Sequence, residues 1–263
     1  EVLRHCAGLP LALRVAAERM TARPTAGLTE LAGELNQARH PLDALSGGTD
    51  PHADLRAAIS WSFRALPAPA ERFCWQFALH PGHSADSYAL AALAGTDLCG
   101  TARLVEALLR ASLCDQVAPG RYALHHLPRA YGLEQSERPE LASRRQAALR
   151  RLCDHYLRAG TIATGLLRLA GGGSVLDWWT EPDAPDERSW SDGPIPPLDD
   201  AGAARAWLTA ERANLAAMAR LAMRLGWFRE ADELAALAPV PDPSRRHDGD
   251  PPGQPEPMVP LAS

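Results

Sequence analysis

Lysine is absent from all 263 residues, so every fixed side-chain cation is an arginine. That absence excludes a Gly-Lys-Ser/Thr phosphate loop, a Schiff-base lysine and a lysine general base. Positive charge is not in excess either: the net charge is -5, which argues against a broadly electrostatic nucleic-acid or membrane binder. Cysteine is sparse. Cys6, Cys74, Cys99, Cys114 and Cys153 form an odd, scattered set without C-x-x-C spacing, which excludes a disulfide frame and a zinc site. They read as small apolar core residues of a reducing compartment, so a cytoplasmic location is expected. No apolar run is long enough for a bilayer-spanning helix, and no charged-apolar leader opens the chain.

Catalytic patterns are missing as well. No Gly-x-Ser-x-Gly occurs, and no Cys/His arrangement has a recognisable context, so no catalytic residue is assigned and a non-enzyme is expected. His80-Pro-Gly-His83 has ligand-like spacing, but Pro-Gly makes it a turn, and no third ligand is near in sequence. No metal is expected. Gly171-Gly-Gly-Ser174 reads as a linker rather than a phosphate cradle.

What is present is ordinary globular composition, 46% apolar and 22% charged, with length enough for two small domains. Gly8 suits the end of one helix and Pro10 the first turn of the next. Leu28, Leu31 and Leu35 mark a second helix, and Ser46 to Pro51 a loop. Leu55, Ala58, Ile59 and Phe63 recur at three- and four-residue steps, giving an amphipathic helix that Asp54 can cap. Further helices are expected over Ala70–Leu79, from Ser84 or Asp86 to Gly95, and over Thr101–Ser112. The period then changes. Leu113–Val117 and Tyr122–Leu124 can pair across Ala118-Pro-Gly-Arg121. Helices follow over Leu127–Glu137, about Leu141–Ala159, Ala203–Leu225 and Phe228–Leu237, and the residues after Pro239 read as disordered. The expected fold is mainly α: a small helical domain (1–50), a winged helix with a short β-hairpin (54–137), a linker helix (140–160), a flexible loop (161–200), one helix pair resembling a tetratricopeptide repeat (201–238) and a tail (239–263).

Two strings carry more than composition. Gly8-Leu9-Pro10-Leu11-Ala12-Leu13, followed by a winged helix ending in Leu124-His125-His126, resembles the NB-ARC/STAND family. The likeness is to actinobacterial transcriptional regulators in which a nucleotide switch precedes tetratricopeptide repeats. Trp207-Leu-Thr-Ala-Glu211-Arg-Ala-Asn214-Leu215 is similar to the segment that opens their repeat region. The resemblance implies that Leu9 and Pro10 lie against the adenine of ADP or ATP, and that His125 reaches the β-phosphate of ADP so that the winged helix closes as a lid. His126 stands where the family has Asp, which implies a looser clamp. The chain starts at Glu1 without Met, and the phosphate loop belongs upstream of it. A truncated signalling piece is therefore expected, with weak nucleotide affinity and its own nucleotide-binding domain as partner. The alternatives are a stand-alone winged-helix DNA binder and a protein-interaction adaptor working through residues 203–237. The helix over 101–112 offers Arg103 and Arg110 but also Glu106, which disfavours DNA reading.

Overall fold

Apolar spacing from Leu55 onward becomes a set of helices that share one core. The computed structural model describes residues 55–171 and 193–238. Helix α1 (Leu55–Arg64) buries Ile59 and Phe63. Helix α2 (Ala68–Ala78) carries Pro69 in its first turn, where a missing N–H costs nothing, and buries Phe73, Cys74 and Phe77. A short strand β1 (Ala85–Asp86) leads into α3 (Ser87–Ala94). Asp86 caps α3 by accepting the Ala89 amide at 2.7 Å, and Gly95 closes it at φ 68°. Helix α4 (Leu98–Arg110) begins earlier than Thr101 because the Asp97 carboxylate accepts the Gly100 amide at 2.6 Å.

Strands β2 (Cys114–Ala118) and β3 (Arg121–Leu124) form the expected antiparallel hairpin, with an irregularity between Gln116 and Ala118. β1 pairs with the free edge of β3, giving the order β1-β3-β2. The run α2, β1, α3, α4, β2, β3 is the layout of a winged helix, mainly α as expected. β1, two residues long, was not foreseen.

Helix α5 (His126–Ser136) ends before a 3-10 turn at Pro139–Leu141, and α6 (Ala142–Ala170) follows for 29 residues. This corrects the expected end of that helix near Ala159. Residues 161–170 are helical, with Ala163 and Leu167 buried, so the flexible loop expected over 161–200 does not begin at 161. Asp200 caps α7 (Ala201–Arg224) through the Ala203 amide at 2.8 Å. A turn at Gly226 then reverses the chain into α8 (Phe228–Leu237).

Helix α6 holds the two halves together. Its Arg151 donates to the Ala92 and Leu93 carbonyls at 2.8 and 2.6 Å, placing a cation on the last carbonyls of α3. Arg150 sits 3.8 Å over the Trp227 ring and 2.5 Å from Glu230 of α8. The buried apolar cluster is continuous from Ile59 of α1 through Tyr156 of α6 to Leu237 of α8. The expected helical domain over 1–50, the Asp54 cap and the tail over 239–263 lie outside the described residues.

Candidate functional site

Where the winged helix meets α7, the core turns polar. Glu211 and Asn214 stand one turn apart on α7, in line with Trp207, Leu208, Leu215 and Met218 on its buried face. Glu211 is 0% exposed. A carboxylate taken out of water must be matched, and among the described residues Oε2 is met by hydrogen-bond donors while Oε1 is met by charge alone. Arg121, the first residue of β3, forms an ion pair with Oε1. Oε2 accepts from Asn214 Nδ2 at 2.6 Å and from the Tyr156 hydroxyl of α6 at 3.2 Å.

The network runs on into the loop between α2 and β1. Asn214 Nδ2 also donates to the Ser84 carbonyl at 3.0 Å, and Arg121 donates to Ser84 Oγ at 3.1 Å. His80 is buried, with Nε2 2.8 Å from Tyr156 Oη. His80 Nδ1 meets the Gly82 peptide, 3.2 Å from its amide nitrogen and 3.4 Å from its carbonyl oxygen, so both ring nitrogens are engaged in either tautomer. Hydrogen bonds then link His80, Tyr156 and Glu211 in one chain. Arg129 of α5 pins the same loop, donating to the Gly82 carbonyl at 2.7 Å and the His80 carbonyl at 2.5 Å. Gly82 has to be glycine: a Cβ there would collide with the Asn214 amide.

Electrostatics follow from burial. Desolvation, with Arg129 and Arg121 nearby, pushes the His80 ring down to about 3, so it is neutral at pH 7. Desolvation also lowers His155, whose ring stands edge-on to Tyr156 at 5.4 Å and whose Nε2 has no hydrogen-bond partner among the described residues. Burial raises the Tyr156 hydroxyl well above its ordinary range, so it stays protonated and can donate. Among the described residues the side chains of the cluster are engaged with one another across three segments of the chain. It is a joint. A buried ion pair of this kind adds little net stability, but it penalises every arrangement that separates the partners.

Of the sequence-predicted residues, Leu9 and Pro10 lie outside the described residues. His125 occupies the N-cap position of α5 at the β3–α5 junction, its amide bonded to the Leu113 carbonyl at 3.0 Å. Its ring is partly exposed, with Nε2 3.6 Å from Asp115 Oδ1 of β2. His80 is engaged at both ring nitrogens, so the His80–His83 turn is structural. On α4, Arg103 folds back to the Cys99 carbonyl at 3.4 Å and Arg110 lies 3.9 Å from Glu106. Neither arginine belongs to an outward basic row.

Sequence reasoning missed the polar joint. A signal was there: Glu211 and Asn214 interrupt an apolar stripe at helical spacing, so each had to find a buried partner or break the helix's packing face.

No protein-family model matches the chain, and no solved structure matches it. Two curated proteins are similar to it. It is 35% identical over 237 residues to the Regulatory protein AfsR of Streptomyces griseus, a match covering 89% of this chain and 23% of that protein. It is 32% identical over 238 residues to the Regulatory protein AfsR of Streptomyces coelicolor, again covering 89% of this chain and 23% of the relative. The chain spans about a quarter of the length of these relatives. It is homologous to a segment of a regulatory protein.

Proposed function

We propose that this chain is the coupling segment of a transcriptional regulator switched by ADP and ATP in the manner of the NB-ARC/STAND proteins. The winged helix closes on ADP, His125 donates to its β-phosphate, and Leu9 and Pro10 line the adenine. The α7–α8 pair begins a tetratricopeptide-type array that senses a protein partner. The Gly8–Leu13 and Leu124–His126 strings support this reading, as does the likeness to proteins named regulatory. His125 also sits at a strand-to-helix junction with its ring partly open.

The observation that carries the proposal is the Arg121–Glu211 joint. A switch needs an element with two arrangements and a rigid path from it to the output. A flexible linker would dissipate any rotation of the winged helix. The buried joint forces α7 to move with β3, so nucleotide state and array position become linked free energies.

The test is equilibrium ADP binding by the complete gene product containing this segment. His125→Ala is expected to weaken ADP by about tenfold or more, the loss of one charge-assisted hydrogen bond. ADP affinity unchanged by His125→Ala overturns the lid reading. The 263-residue chain alone is expected to bind ADP no better than roughly millimolar.

A further inference from the structure

A concavity of about 330 Å³ lies between the α1–α2 corner and the turn from α5 into α6. Its floor is apolar, made by the buried Phe63 and Trp75. Its rim carries Arg72 of α2, Arg138 just after α5 and Arg144 at the start of α6, against one carboxylate, Glu71. None of these three guanidiniums makes an ion pair or side-chain hydrogen bond among the described residues. Arginines at neighbouring joints are consumed structurally: Arg56 pairs with Glu134 at 3.2 Å, and Arg145 donates to the Ser136 carbonyl at 2.7 Å.

The rim is also held in shape. The Ser136 hydroxyl donates to the Leu133 carbonyl at 2.6 Å, Arg145 clamps the end of α5, and Pro139 opens the 3-10 turn. Arg138 and Arg144 therefore stand on either side of a pinned corner, and Arg72 of the packed α2 lines the same concavity. Exposed guanidiniums carried on a held backbone can match phosphate or carboxylate oxygens in pairs, and the volume suits a small ligand. We propose that this concavity binds a small molecule bearing at least two anionic groups, phosphate or carboxylate, and so braces α2 against the α5–α6 corner. The site stands independently of the nucleotide-switch reading.

The experiment is titration calorimetry of the full chain with inorganic pyrophosphate and with citrate at constant ionic strength. The expected result is saturable single-site binding, roughly millimolar or tighter. It should weaken about tenfold or more in Arg138→Gln/Arg144→Gln and be unchanged in Arg103→Gln/Arg110→Gln on α4. Tighter pyrophosphate binding assigns a phosphorylated ligand, and tighter citrate binding a polycarboxylate. Arg72→Gln, on a different element, gives the same loss should the double variant fail to match wild-type circular dichroism. Heats that do not saturate, that sodium chloride reproduces, or that survive both the double variant and Arg72→Gln overturn the proposal.

Discussion

Arg121 opens the wing strand β3 and is ion-paired to Glu211, which lies in the middle of α7 and is fully buried. The partners come from two segments that share no element, and α6 threads between them, contributing Tyr156. Glu211 alone is expected to be costly to remove, because Glu211→Leu leaves a partly buried guanidinium without its counter-charge. The expected loss is about 3 kcal/mol, whereas Arg121→Met/Glu211→Leu together should cost less than the two single changes summed. Urea unfolding of the four proteins measures this. Strict additivity would show that the pair is not coupled.

Tyr156 acts through its hydroxyl. Tyr156→Phe keeps the ring in a core position but leaves His80 Nε2 without its hydroxyl partner and removes one donor from Glu211. A loss of about 1–3 kcal/mol is expected. A thermal-shift series in which Tyr156→Phe equals wild type would contradict this account of the network.

Acid should loosen the joint. The His80 ring is neutral in the fold down to about 3, whereas an unfolded histidine takes its proton near 6.5. Between those values the unfolded state binds more protons, so stability falls as pH falls. The contribution is complete above pH 6.5, is lost progressively toward pH 3, and is flat below. The slope from His80 alone is at most about 1.4 kcal/mol per pH unit. His155, depressed by its own burial, adds in the same direction. Unfolding free energies measured from pH 7 to pH 4 should fall less steeply in His80→Gln than in wild type, although that variant starts less stable.

Gly82 sets how closely the α2–β1 loop approaches α7. In Gly82→Ala the new methyl displaces the Asn214 amide and with it the bonds to Ser84 and Glu211. About 1–3 kcal/mol should be lost. Asn214→Ala makes room for the methyl, so the double variant should be less damaged than the sum, as denaturant midpoints would register.

Helices with clean apolar periodicity were legible in the sequence. Leu55–Arg64, Ala201–Arg224 and Phe228–Leu237 fall within a few residues of their expected bounds, and so does the hairpin with Pro119-Gly120 at its turn. The full length of α6 was not. Gly160, Thr161, Thr164 and Gly165 are poor helix formers, and propensity argues for a stop there. Packing prevails instead, because Gly160 lets Leu237 of α8 lie against α6 where a larger residue would intrude. Gly100 hid the start of α4 in the same way, and the Asp97 cap restored it. The polar joint was illegible as an assembly because Asn214 and Ser84 are 130 residues apart. Pattern on one helix announces that a polar group is buried, but not which distant loop will meet it.

The central claim is that the winged helix and the α7–α8 pair move as one body through the Arg121–Glu211 joint. A spin label on the exposed Cys99 of α4 and another on α8 through Asp232→Cys, in a Cys6→Ser background, report their separation by double electron–electron resonance. A single narrow distance distribution that broadens markedly on Glu211→Ala is the predicted result. Equal widths with and without Glu211 would contradict it.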